Sequence, residues 1–142
     1  MQGLLLFHST TYEDNDAKKL SRMKVAEFIQ EWGVSKYLET ATPNLFGDAY
    51  KKSNPAAIQN VIDRGLGISP EAMIQFVFAM RNRKAMTHLL QQNKMPVWMI
   101  AGDADLAVTI QDSLEQIKLL PSTKDFNVFK CVITNTTFLY CT

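Results

Sequence analysis

The sequence predicts an α/β fold in which three parallel strands flank a long helical segment. A run of apolar residues, Val97–Ala101, lies between Pro96 and Gly102, and a short apolar run bounded in this way is typical of a strand in a parallel sheet. A second short apolar run, Gly3–Phe7, stands near the beginning of the sequence. Most of the residues between the two runs show apolar positions at helical spacing, which indicates helices covering a sheet.

The first strand, Gly3–Phe7, is predicted to be buried on both faces because none of its residues is polar. A helix of about 17 residues follows, capped by Asp14 or Asn15 and ended by Gly33. Its apolar stripe is predicted from spacing of three and four residues, with Leu20 about one turn earlier. The stripe consists of Val25, Phe28, Ile29 and Trp32.

Capping residues and prolines divide the middle of the chain into shorter helices. A helix over residues 35–41 ends before Pro43, and Asn44–Ser53 is predicted to be a turn-rich connection. Asn54-Pro55 and Ser69-Pro70 each pair a capping residue with proline at the first helical position, so helices are predicted over 55–65 and 70–82. The stripe of the second consists of Met73, Phe76, Val77 and Met80, and a last short helix runs from near Lys84 to Leu90.

The strand at 96–101 begins a strand–helix–strand unit. Its helix starts at Ile110 and is closed by Pro121, and Asp125–Lys130 is predicted to be the third strand. The helical segment at about 13–82 is too long for a simple crossover between parallel strands. We therefore expect one domain over residues 1–142, with that segment inserted between the strands at 3–7 and 96–101.

Composition narrows the possible classes of function. Lys and Arg number 15 against 14 for Asp and Glu, a net charge of +1, so no basic surplus indicates binding to nucleic acid or an anionic membrane. No apolar run approaches the ~18 residues of a membrane span. Cys131 and Cys141 have no histidine near them, which argues against a zinc site and favours free thiols in the cytoplasm. Neither a metal nor a cofactor is predicted.

Two aspartates directly after the second strand are the main candidates for chemistry. Open α/β sheets bind their ligands at the carboxyl ends of the strands, and Asp103 and Asp105 follow Gly102. Asp103 is interpreted as a solvated turn residue. Asp105 is either a catalytic acid or a turn or capping residue, and these roles are compatible.

The histidines and hydroxyl side chains have less specific patterns. His8 follows the first strand and is interpreted either as lining a substrate pocket or as a hydrogen-bonded residue at a strand end. Ser9 and Thr10 are assigned to turn or capping roles. His88 is interpreted as a surface or partly buried residue of a short helix.

Several segments together resemble the C-terminal half of small bacterial α/β-hydrolases, the serine hydrolases with a helical cap. The resemblance covers about residues 3–130, and its most specific part is the G-x-x-D-x-x-V pattern of Gly102, Asp105 and Val108. It implies that the three strands are the sixth, seventh and eighth of that fold and that about 13–82 is the cap. It also implies that Asp105 is the triad acid, which orients a catalytic histidine. The segments that carry it are GLLLFHST, ATPNLF, AIQNVIDRG, AMIQFVFAMRNR and PVWMIAGDADLAVTIQDSLEQIKLLP.

Two triad members of that family have no counterpart in these residues. The sequence contains no G-x-S-x-G, the turn that carries the serine nucleophile. The family's histidine follows the eighth strand, but the sequence after Lys130 reads CVITNTTFLYCT, which suggests truncation or a shifted reading frame. We therefore expect a fragment of an enzyme that hydrolyses a small ester or acyl substrate, inactive by itself.

Two alternatives remain open at this point. The first is a non-catalytic binding or assembly module that pairs with a companion chain or a second copy through the edge of the strand at 3–7. The second is a product without function that folds only marginally.

Overall fold

The structure, a computed structural model, describes residues 3–102, 105 and 107–121 and the backbone of 128–131. It divides into two compact units, which are described separately: a sheet unit, Met1–Tyr12 with Ala85–Thr142, and a helical unit, Glu13–Lys84. In chain order the elements are β1 (Leu4–Phe7), α1 (Asp16–Ala41), a 3-10 helix (Thr42–Leu45), α2 (Asp48–Ser53), α3 (Pro55–Gly65), α4 (Pro70–Arg81), α5 (Thr87–Gln91), β2 (Val97–Gly102), α6 (Ile110–Ile117) and β3 (Val128–Cys131).

The sheet unit contains a parallel sheet of strand order β1-β2-β3. Leu4 lies opposite Val97 and Phe7 opposite Ile100, while β2 and β3 are in register from Met99 to Gly102. The predicted parallel strands are therefore confirmed as neighbours. Of the predicted third strand, residues 125–127 lie outside the described residues.

The two faces of this sheet differ in exposure. Val97, Met99 and Ala101 of β2 are all less than 5% exposed, and α6 packs against that strand. On the opposite face, Leu5 and Phe7 are 54% and 46% exposed. The prediction that the first strand is buried on both faces is therefore wrong, because every second side chain of β1, those of Leu5 and Phe7, is exposed.

A buried glutamine on α6 holds the segment that follows β1. Gln116 is fully buried, and its Oε1 accepts hydrogen bonds from the Thr11 N–H at 2.6 Å and the Thr11 hydroxyl at 2.8 Å. Its amide nitrogen donates to the Asp112 carbonyl at 3.1 Å. Each polar group of this side chain is thus paired, as burial requires.

The helical unit is centred on α1 and α4, which pack against each other. Its buried core consists of Ala26, Ile29, Val34 and Val77. The helix α1 is broken at Gly33, whose φ of 81° and ψ of 169° are open essentially only to glycine. The predicted helix end at Gly33 is thus a sharp bend, after which the helix continues at once to Ala41.

An ion cluster lies at the start of the helical unit. Asp14 is 3% exposed, and its carboxylate accepts from Arg22 Nε at 3.1 Å and from an Arg83 guanidinium nitrogen at 3.4 Å. The cap of α1 is the neighbouring Asn15, whose side chain accepts from the Lys18 N–H. Of the two candidate capping residues, Asn15 is therefore the cap and Asp14 is a buried partner of two arginines.

Several predicted core positions in the helical unit are wrong. Trp32 is 60% exposed and Phe76 is 59% exposed, although both lie on a predicted apolar stripe. Leu20 and Met80 are also exposed. The contact between α1 and α4 covers a narrower face of each helix than the spacing of apolar residues predicted. Ala26 of α1 and Val77 of α4 lie in that contact.

Two local predictions between α1 and α4 are also wrong. The segment predicted as a turn-rich connection contains the 3-10 helix at Thr42–Leu45 and α2. Asn54 makes no side-chain capping bond to α3, and its φ of −134° and ψ of 50° lie outside the extended backbone conformation of a typical N-cap. Ser69 caps α4 as predicted and accepts from the Ala72 N–H at 3.2 Å.

Candidate functional site

Asp105 lies just beyond the carboxyl end of β2. Its Oδ1 accepts hydrogen bonds from the Ala107 N–H at 2.8 Å and the Val108 N–H at 3.0 Å, the pattern by which aspartate stabilises a turn. The cap of α6 is Thr109, which accepts from the Asp112 N–H. Asp105 is therefore a turn residue, and its second oxygen is left for another partner.

That partner is His8, at the carboxyl end of β1. The His8 Nδ1 atom lies 2.9 Å from Asp105 Oδ2, and the two side chains are only 13% and 15% exposed. Because β1 and β2 are parallel neighbours, their carboxyl ends meet at one edge of the sheet. The fold thereby joins two residues that are 97 positions apart.

The backbone of His8 is held in a strained conformation. Its φ is +43°, a left-handed value that is uncommon outside glycine, asparagine and aspartate. The His8 N–H still donates to the Ile100 carbonyl at 2.9 Å, and the imidazole packs edge-on against the Phe7 ring at 4.8 Å. These contacts turn the imidazole towards Asp105.

Hydrogen bonds keep the Asp105 carboxyl group ionised. Burial alone would raise its pKa, but the Val108 N–H, the His8 ring and the Ala107 N–H together lower the pKa below its ordinary value. An ionised carboxylate can only accept. The proton of a neutral His8 ring therefore lies on Nδ1, and Nε2 carries the lone pair.

The other candidates that the structure describes have roles of their own. His88 lies exposed on α5, and Asp103 is outside the described residues. The Ser9 hydroxyl donates to the Phe7 carbonyl at 2.9 Å and the Thr10 hydroxyl accepts from the Tyr12 N–H, the turn roles predicted for both. No group of three or more potential metal ligands occurs among the described residues.

Both His8 and Asp105 were candidates from the sequence, but the contact between them was not predicted. His8 fits the hydrogen-bonded reading of a residue at a strand end, and whether it also lines a substrate pocket stays a prediction. A signal for the contact was present, since each residue directly follows a strand of one predicted parallel sheet. No helix within the described ranges is long and apolar enough to cross a lipid bilayer.

Comparison with solved structures identifies the fold. An esterase from Thermogutta terrifontis superposes with a TM-score of 0.76 at 22% identity, over 91% of this chain and 47% of the esterase. An enol-lactonase from Burkholderia xenovorans LB400 gives 0.75 at 16%, over 90% and 47%. MenH from S. aureus gives 0.67 at 18%, over 90% and 49%. No protein-family model matches the sequence, and a search of curated proteins finds no match.

The parallel sheet, with its polar residues at the carboxyl ends of the strands, defines an α/β fold. More particularly, the chain has a partial α/β-hydrolase fold and spans about half the length of the structures that it matches. The resemblance noted from the sequence is confirmed at the level of the fold.

Proposed function

We propose that this chain is part of an α/β-hydrolase that cleaves a small ester or acyl substrate and that Asp105 is its catalytic acid. The observation that carries the proposal is the ionised Asp105 carboxylate, held at the carboxyl end of β2 by two backbone N–H groups and bonded to an imidazole. A carboxylate in this position orients a histidine and stabilises the imidazolium that forms during acyl transfer. Two similar structures are described as an esterase and an enol-lactonase, which supports this substrate class.

In the same proposal, these 142 residues do not catalyse ester hydrolysis by themselves. They contain no G-x-S-x-G and no histidine after Lys130. Loss of a nucleophile or base removes several orders of magnitude of rate in triad enzymes. The helical unit, Glu13–Lys84, corresponds in this account to the cap of the complete enzyme, and a cytoplasmic location remains a prediction.

An esterase assay tests the proposed dependence on further polypeptide. The purified chain should release p-nitrophenol from p-nitrophenyl acetate and butyrate no faster than its Asp105→Asn variant, and a fluorophosphonate probe should leave it unlabelled. A burst of p-nitrophenol that matches the protein concentration would contradict the proposal. The coding DNA offers a second check, since an upstream G-x-S-x-G in any frame would supply the missing nucleophile.

A second candidate function is an assembly role, favoured by the open face of the sheet. Leu5, Phe7 and Trp98 are exposed, and β1 stands at one end of the described strand order. The Trp98 ring packs closely against Gly3, since a Cβ at that position would overlap the ring. An edge strand with an apolar face is a template for pairing with another chain.

Light scattering after size-exclusion chromatography tests the assembly role. The unmodified chain should elute as a dimer or larger species, and Leu5→Lys should shift it towards the monomer. Leu45→Lys is the matched control, because Leu45 is 63% exposed in the helical unit. A monomer at all accessible concentrations would argue against this second function.

A further inference from the structure

The His8–Asp105 pair has the features of a group that moves a proton. Three hydrogen-bond donors converge on the Asp105 carboxylate, so the carboxylate cannot turn away from the imidazole. The imidazole is fixed in its turn by the backbone bond to Ile100 and by the Phe7 ring. One tautomer and one ring orientation are therefore imposed on His8.

The other ring nitrogen of His8 has no such partner. Nε2 is buried, and no hydrogen bond to it is formed within the part of the chain that the structure describes. Most buried polar atoms are hydrogen-bonded, and an exception calls for an explanation. Because Nδ1 carries the proton, Nε2 is an acceptor, and the group that satisfies it must be a donor.

We propose that His8 is the proton-transfer residue that Asp105 orients, an inference that rests on the hydrolase function proposed above. Nε2 accepts the proton of a hydroxyl nucleophile as the oxygen forms its bond to the substrate carbonyl carbon. The carbonyl π electrons move to the carbonyl oxygen. When the tetrahedral adduct collapses, the bond to the leaving oxygen breaks and the imidazolium returns the proton to that oxygen.

This assignment departs from the expectation drawn from the family resemblance. That resemblance places the histidine after the third strand, where the sequence has none. In the structure the Asp105 carboxylate is already bonded to an imidazole from the end of β1. A rival explanation is that His8 only anchors the strained end of β1, in which case Nε2 has no chemical role.

Acylation of the two histidines by diethyl pyrocarbonate separates these explanations without any substrate. The reagent forms a bond between its carbonyl carbon and an unprotonated imidazole nitrogen and releases ethyl carbonate. In His8 the lone pair that can react is on Nε2, and the exposed His88 supplies a second reactive imidazole in the same molecule. Mass spectrometry of peptides reports both rates, with His88 as the internal reference.

The first comparison uses the unmodified chain, native and in guanidinium. Nε2 is buried in the structure, and a proton-transfer role requires that reactants still reach it, so His8 should be acylated in the native chain about as fast, relative to His88, as in the denatured chain. An anchoring residue, shielded by its burial, should react more slowly when native. Protection of His8 in the native chain would overturn the proposal.

The second comparison uses Asp105→Asn, with Asp103→Asn as the matched change of charge. Loss of the charge-assisted hydrogen bond should slow acylation of His8 about tenfold and leave His88 unchanged. A purely structural pair would respond in the opposite sense, since a loosened strand end exposes His8. Circular dichroism confirms that both variants remain folded, and His88→Gln verifies the peptide assignment.

These outcomes are independent of the esterase test. Slow acylation of His8 would remove its proton-transfer role and leave Asp105 available for another histidine. Rapid acylation together with a fluorophosphonate-labelled serine in the isolated chain would instead contradict only the proposed inactivity.

Discussion

The helical unit and the sheet unit differ in how far apart in the sequence the residues lie that contact each other within each unit. The helical unit is one continuous segment, Glu13–Lys84. The sheet unit joins residues on both sides of that segment, and its bonds link residues 97 and 105 positions apart. Closing a long loop costs entropy before any contact forms. The unit that contains His8 and Asp105 is thus the one whose formation depends most on distant residues.

The units also differ in the role of their buried charges. In the helical unit Asp14 is enclosed between Arg22 and Arg83, and both carboxylate oxygens are used for this ion cluster. In the sheet unit the pair of His8 and Asp105 leaves one ring nitrogen without a hydrogen-bond partner among the described residues. A saturated cluster stabilises a fold, whereas an unsaturated one is a candidate for chemistry.

The largest expected effect comes from removing one core side chain in each unit. Ile29 and Met99 are both at most 1% exposed, so Ile29→Ala and Met99→Ala should each reduce the free energy of unfolding by about 2–5 kcal/mol. If the units unfold separately, hydrogen exchange should accelerate only in the mutated unit. Equal acceleration in both units would show that the chain unfolds as one cooperative body.

The hydrogen bonds of Gln116 test the long-range closure of the sheet unit. Gln116→Ala leaves the part-buried Thr11 N–H without its acceptor and should cost about 1–3 kcal/mol in urea unfolding. Gln111→Ala is the control, since Gln111 is exposed and its side chain donates to Glu115 on the same helix. A loss no larger than that of the control would mean that the Thr11 contact adds nothing to closure.

A third prediction concerns the bend in the helical unit. Gly33→Ala places a Cβ on a backbone with φ of 81° and ψ of 169° and should destabilise the chain by about 1–3 kcal/mol. Gly47→Ala should change stability little, because its φ of −66° suits alanine and a Cβ there meets no neighbour. Thermal unfolding of both variants measures the difference, and equal melting temperatures would count against strain at Gly33.

The smallest effect is expected from the charge of Asp105. Hydrogen bonds hold the pKa of its carboxyl group below the ordinary value despite burial. The resulting stabilisation is present above the pKa of the unfolded chain, about 3.9, and is lost as pH falls through the lower folded value. Unfolding in urea at several pH values should therefore show Asp105→Asn less stable at neutral pH and equal to the unmodified chain in strong acid.

The exposed Asp16 supplies the control for that titration. Asp16→Asn removes a carboxylate from the first turn of α1 and should leave the pH response of the sheet unit unchanged. If the difference in unfolding free energy between Asp105→Asn and the unmodified chain were the same at every pH, the charge of the carboxylate would contribute nothing to stability.

Local signals in the sequence were sufficient for most elements. The helices at 55–65 and 70–81, the Ser69 cap and the break at Gly33 follow from proline, capping residues and glycine, whose preferences act over a few residues. The exposed Trp32 and Phe76 were mispredicted because spacing marks an apolar stripe without showing how much of it a partner helix covers.

By itself the sequence determined the three strands, the helical segment between them and the placement of Asp105 after a strand, because each depends on neighbouring residues. Only the tertiary structure decided that His8 meets Asp105, that Gln116 secures Thr11 and that one sheet face remains open. These features depend on which strands lie side by side. The sequence placed His8 and Asp105 after strands of one predicted sheet, but which strands are neighbours is decided by contacts between residues about a hundred positions apart.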